Sequence, residues 1–177
     1  MRERMLGAAR ALALLSRLSL WVAGAGMILM TAMVAWQVFA RYVLNASPTW
    51  TEPASVMVMS WFIFLGAAVG VRENFHMGFD VLVHFLPPSV EPWMRGISDA
   101  AVLVFGVGMV VYGMQLTIQT WTATIPVLHL PGGFTYMPIV AGGALMALFA
   151  LERLVLRAAG VKVDQDPDAD DVILSDA

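Results

Sequence analysis

Four stretches of this chain are almost wholly apolar and long enough to cross a bilayer, which takes roughly 20 residues of helix. They run from about Leu18 to Ala40, Pro53 to Val71, Ile97 to Gln119 and Phe134 to Leu151, with room for a further turn on the last. Pro, Gly, Trp or a charged residue bounds each of them, and no internal repeat is evident. The pattern predicts an all-α membrane protein with four transmembrane helices. It divides the chain into a basic segment (1–17), a four-helix transmembrane domain (18–157) and an acidic tail (158–177), read as solvated and disordered.

Composition sharpens this reading. Hydrophobic residues make up 59% of the chain and charged residues 13%. Soluble domains carry about 45–50% and about 25%. With mean hydropathy at +0.76, the bilayer is the natural solvent. There is no cysteine, so a thiolate metal site, a disulfide framework and a cysteine nucleophile are excluded. No basic stripe of the kind that tracks nucleic acid is present.

The basic residues set an expected orientation. With the N-terminus inside, the inner segments hold Arg2, Arg4, Arg10, Arg17, Arg72, Arg95, Arg153, Arg157 and Lys162. The outer loops hold only Arg41. That asymmetry predicts both termini on the cytoplasmic side. The first apolar run is too long for a signal-peptide core and ends in Arg41-Tyr42 rather than a small-residue cleavage site. It reads as a retained span. Two readings fit residues 1–17. One is an amphipathic helix on the membrane surface, since Glu3, Arg10 and Arg17 recur every seven residues. The other is a basic flank that sets topology.

Candidate chemistry is sparse. His76, His84 and His129 fall in loops or at membrane edges, not facing one another inside helices as a haem bundle requires. No Walker loop, HExxH helix or Ser-His-Asp order appears. The alternating Asp residues of the tail lack the Gly and Glu of a calcium loop. The chain therefore reads as no enzyme, with no cofactor and no metal. The span centres hold no ionisable residue, and spans one to three read as polar only through neutral groups. A coupled ion or proton pathway normally needs such residues, so the expectation is support of another membrane component. Glu152 and Arg153 read as snorkelling groups at the end of the last span.

Several polar and small residues mark contacts. Tyr112, Gln115, Gln119 and Thr122 share helical spacing near one end of the third span. Hydrogen bonding inside the bundle is the favoured reading, and contact with a partner helix or docking protein is the alternative. Gly66 and Gly70, and the pair Gly142-Gly143, suit close helix packing. In the first outer loop, Thr51 is expected to cap the second span. A salt bridge between Arg41 and Glu52, or a partner contact, would explain why so short a loop keeps both charges. In the inner loop, Arg72 marks topology. His76 and Asp80 stand four apart and can pair on a helix.

These loops resemble a known family. The segments Phe39-Ala40-Arg41-Tyr42-Val43-Leu44-Asn45, Trp50-Thr51-Glu52, Phe64-Leu65-Gly66-Ala67-Ala68 and Val71-Arg72-Glu73-Asn74, with His76 and Asp80, are similar to the DctQ-type small permease subunit of tripartite ATP-independent periplasmic (TRAP) transporters. Pro53 departs from it, since the family often carries a second acidic residue after Glu52. The resemblance implies a small inner-membrane subunit. It would brace a large DctM-type permease during ion-driven, sodium-coupled uptake of an organic acid, a carboxylate delivered by a periplasmic DctP-type binding protein. Arg41, Tyr42, Asn45, Trp50 and Glu52 would then face outward partners. Arg72, Glu73, Asn74, His76 and Asp80 would fix the inner turn against the large subunit. The competing classes are a four-helix anchor or assembly subunit, as in a respiratory enzyme, and a self-sufficient small transporter.

Overall fold

The computed structural model describes residues 2–46, 48–73 and 91–158, with side chains for most of them. It contains four long helices, α1 (Arg2–Tyr42), α2 (Thr51–Arg72), α3 (Glu91–Gln119) and α4 (Met137–Ala158). A short 3-10 turn at Gly132–Thr135 precedes α4. All four helices are long and apolar enough to span a membrane, over Leu12–Tyr42, Thr51–Arg72, Trp93–Gln119 and Met137–Arg157. The four expected spans are therefore present; the third ends at Gln119 as expected, and the first and second end slightly later, at Tyr42 and Arg72. α4 continues past Leu151 through Glu152, Arg153 and Arg157, and its 3-10 turn takes up Phe134.

Residues 2–17 form the first turns of α1, with no break before the span. The 31-residue span within α1 is roughly 46 Å long. That exceeds the hydrocarbon core of about 30 Å, so its ends reach into the headgroup layers.

The main contacts order the helices α1–α2–α4–α3. This is an open row in which α4 sits between α2 and α3. One core joins all four helices. Ala68 and Val71 of α2 meet Met146 and Phe149 of α4, with Leu12 of α1 and Val102 and Met109 of α3 packed around them. The core lies toward the end of the row that carries Arg72.

Glycine placement explains how the row closes up. A Cβ on Gly142 would lie 2.7 Å from Phe64 Cβ on α2. One on Gly143 would lie 2.6 Å from Met109 Cβ and 2.9 Å from Gly106 O on α3. Adjacent glycines thus serve opposite neighbours, and Gly106 answers Gly143 across the α3–α4 seam. A Cβ on Gly26 of α1 would stand 3.2 Å from Phe62 Cβ. The GAAVG step of α2 is looser. A Cβ on Gly66 would reach Ala23 at 4.0 Å, and nothing lies within 4 Å at Gly70.

The Arg41 end of the row is closed by two loops. Thr51 does not act as the cap of α2. The N-cap position is Trp50, which makes no side-chain cap, and the buried Thr51 Oγ1 donates back to Pro48 O at 2.8 Å. Asn45, at φ 50°, turns the chain between α1 and α2. Between α3 and α4, Ile125 N donates to Leu130 O at 2.8 Å and Gly132 N to Ala123 O at 2.6 Å. Trp121 stacks on Phe134 at 5.7 Å.

Two substitutions separate close packing from open space. Gly143→Ala should lower the thermal unfolding midpoint in detergent, because neither Met109 Cβ nor the Gly106 carbonyl can yield 0.5 Å cheaply. Gly70→Ala should leave the midpoint unchanged or slightly higher, since helix propensity favours Ala by up to ~1 kcal/mol and the space is free. Equal effects would contradict this packing.

Candidate functional site

The strongest polar feature is buried in the membrane domain at the Arg72 end. Asp99 of α3 is 2% exposed and Arg153 of α4 is 6% exposed. Arg153 Nη2 pairs with Asp99 Oδ1 at 2.7 Å, and Arg157 Nε stands 2.8 Å from Asp99 Oδ2. The other terminal nitrogen of Arg153, Nη1, donates to the Val71 carbonyl near the end of α2. One guanidinium therefore ties α3 to α2 from its place on α4. Arg72 extends the cluster. It is 5% exposed, stands over the Phe149 ring at 5.7 Å, and approaches Glu152 Oε2 at 3.9 Å.

This cluster corrects three sequence expectations. Span three is not polar through neutral groups alone, because Asp99 lies inside it. Arg153 does not reach outward as a free head group, because its guanidinium is buried and held between Asp99 and Val71 O. Arg72 is no simple topology marker, because it is buried against α4. The signal that could have found the cluster was present. One acid inside a predicted span, and two bases four apart at the end of another, are costly in lipid unless paired. Four residues is one helical turn, so Arg153 and Arg157 share a face and both can reach a single carboxylate.

The Arg41 end is arranged differently. Arg41, Tyr42, Asn45, Trp50 and Glu52 are all exposed. Among the described residues, Arg41 and Glu52 make no salt bridge with each other or with any other group. Thus the intrachain pair that would have explained them is not formed, and both charges face outward. At the other end, Glu73 is exposed and its N–H donates to Val69 O at 2.9 Å, closing α2. Asn74, His76, His84 and Asp80 lie outside the described residues.

Tyr112, Gln115 and Gln119 lie on the flank of α3 that turns away from α4. Tyr112 is 69% exposed, and both glutamines are exposed. Their side chains make no hydrogen bond within the described chain, so bonding inside the bundle, the favoured sequence reading, is not what this flank does. Thr122 lies beyond the end of α3, in the turn. The α4-facing side of the same helix carries Gly106, Gly113 and Thr117, all buried. Thr117 Oγ1 satisfies itself by donating to Gly113 O at 2.8 Å.

The arrangement is one of structure rather than reaction. The buried charges are consumed by one another, and the exposed polar groups lie on outward surfaces.

Comparison with known proteins agrees with this character. The family model described as "Tripartite ATP-independent periplasmic transporters, DctQ component" matches residues 30–160. A TRAP transporter small permease protein of Haemophilus influenzae is 31% identical over 128 residues, which is 72% of this chain and 79% of that one. The C4-dicarboxylate TRAP transporter small permease protein DctQ of Vibrio cholerae is 30% identical over 78 residues, 44% of this chain and 34% of its own length. The sialic acid TRAP transporter small permease protein SiaQ of Vibrio cholerae is 21% identical over 128 residues, 72% of this chain and 74% of that one.

The buried cluster generates a direct prediction. Asp99→Ala leaves Arg153 and Arg157 without their carboxylate and should destabilise the protein by roughly 3–5 kcal/mol, the scale for breaking a buried ion pair. The double replacement Asp99→Leu with Arg153→Leu should recover part of that loss. Thermal or denaturant unfolding in detergent reads both, and an unchanged midpoint for Asp99→Ala would contradict the assignment.

Proposed function

This chain belongs to the DctQ family of TRAP transporter components, and from that membership we propose that it is the small membrane subunit that braces a large permease during uptake of an organic acid. The family supplies transport components and not enzymes, and four apolar helices suit a multi-pass protein of the bacterial inner membrane. The finer reading is that a periplasmic protein captures the anion and docks on the outer face of the membrane pair. The large subunit then carries the substrate and the coupling-ion sites, with sodium as the coupling ion by family resemblance.

The observation that carries the bracing role is where the charges lie. In the described spans, the buried ionisable groups are gathered at one end and form ion pairs with their neighbours across α2, α3 and α4. Lone buried charge of the kind that marks an ion pathway is absent from the middle of the described helices. The chain is built to hold helices in a row, not to pass a substrate between them.

Orientation follows from the nine inner and one outer basic residues, with both termini cytoplasmic. Arg41, Tyr42, Asn45, Trp50 and Glu52 would then lie on the periplasmic side, where the outward charges of Arg41 and Glu52 can meet a docking protein or the large subunit. Arg72 supports the inner end from within the chain. The outermost inner-turn groups, Glu73, Asn74, His76 and Asp80, are the ones proposed to touch the large subunit. The names of the relatives point to two substrates, C4-dicarboxylates and sialic acid. Both are carboxylates, and that is the substrate class proposed for the whole transporter.

Reconstitution tests the proposal. Vesicles containing this chain alone should show no uptake, while vesicles with the large permease, supplied with the binding protein and a sodium gradient, should accumulate the carboxylate. Flux from this chain alone would overturn the bracing role. In the complete system, Arg41→Ala with Glu52→Ala should cut uptake at least several-fold while the protein's own unfolding midpoint stays fixed. Unchanged uptake and unchanged assembly would remove these residues from the interface.

A further inference from the structure

An open row of helices has two uncovered flanks, and they differ in chemistry. The flank of α1 opposite α2 shows Leu18, Trp21, Ile28, Ala32 and Phe39, all exposed and all apolar. The hydroxyl beside them, Thr31 Oγ1, donates to Met27 O at 2.8 Å and needs no outside partner. Lipid chains suit such a surface.

The flank of α3 does not match. Ala101, Phe105, Gly108, Tyr112, Gln115 and Gln119 follow one another at alternating steps of four and three, the spacing of a helix-packing seam. Five of the six are exposed and Gly108 is partly so, with nothing within 4 Å of where its Cβ would stand. A glycine there admits close approach by another helix. Above it stand Tyr112, Gln115 and Gln119, which no group of the described chain satisfies.

The hydroxyls of Thr31, Ser60, Thr117 and Thr120, the last just past the end of α3, all donate to the carbonyl four residues earlier. A glutamine amide has two donors and an acceptor to place, and in lipid an unplaced amide is costly. Gln119 is the last residue of α3 and can reach the headgroups. Gln115 and Tyr112 lie about 6 Å and about 10 Å deeper along the helix. A soluble docking protein has no access at that depth, whereas another transmembrane helix does.

We propose that this seam of α3 docks a transmembrane helix of the large permease subunit, one that offers hydrogen-bonding side chains or freed backbone carbonyls to Tyr112, Gln115 and Gln119. The inference rests on the bracing role proposed above and assigns it to one edge of the row. The α1 flank is left to lipid.

This chain has no cysteine, so an introduced thiol is its only labelling site, and the unaltered chain is the control for adducts arising from other proteins. Gln115→Cys and, separately, Ile28→Cys are introduced into the chain in membranes holding the assembled transporter. Each is labelled with a thiol-specific photoreactive benzophenone and irradiated. The expected result is an adduct with the large permease from position 115, at least ten-fold more abundant than from position 28. Gln115→Leu with Gln119→Leu should reduce the large permease that co-purifies with the chain by about ten-fold or more, while the chain's own unfolding midpoint is kept or raised.

A permease adduct from position 28 alone, or equally from both, would overturn the assignment and leave the bracing role standing. A self-adduct of twice the chain's mass, or lipid adducts only from position 115, would do the same. If the unaltered chain retains no large permease at all, the bracing role fails and this edge assignment falls with it.

Discussion

The structure depends on one buried carboxylate. Asp99 sits at the Arg72 end of a membrane domain, almost without solvent contact, and holds Arg153 and Arg157 of α4. Taking such charges out of water costs several kcal/mol each, and it is tolerable only because the partners are close and because Arg153 also reaches the Val71 carbonyl. The bonds cannot be made unless α2, α4 and α3 stand side by side. The hydrophobic effect gives no such instruction, because lipid tails are as apolar as leucine. The ion cluster fixes the order of the row at one end, and the glycine contacts of Gly142, Gly143 and Gly106 bring the backbones together along it.

That division of labour bears on function. Charge is spent on internal cohesion at one end, and the helix surfaces are left for the surroundings. A transport site would need polar groups placed inside the span and free to bind. Here the described spans hold their buried charge in ion pairs at one end, Arg41 and Glu52 stand exposed at the other, and the exposed glutamines lie on the edge of α3. The family membership makes this chain a TRAP transporter component, and this geometry is what supports the bracing role proposed for it. Neither names the substrate of the whole transporter.

The sequence makes much of this legible and hides the rest for physical reasons. The spans were visible because lipid demands long apolar runs. Their ends were less so. Reading stops at charge, yet α4 runs through Glu152, Arg153 and Arg157 because those side chains have partners on other helices. Asp99 was overlooked for the same reason, since its partners lie more than fifty residues away and hydropathy carries no pairing information. The glycines showed the opposite error. Gly66 and Gly70 have the spacing of a packing motif but meet little, whereas Gly106, which has no glycine three or four residues away, faces Gly143. The order α1–α2–α4–α3 was not legible at all, because each helix is apolar on nearly every side. The charges of Arg41 and Glu52 were legible in the sequence, and of the two explanations open there the internal pair is not formed.

The most direct measurement is affinity purification of the tagged chain from gently solubilised native membranes, followed by mass spectrometry of what comes with it. The account predicts a much larger polytopic membrane protein in one-to-one amount. Recovery of this chain alone, stable and monodisperse, would contradict the account and point to a protein that works by itself.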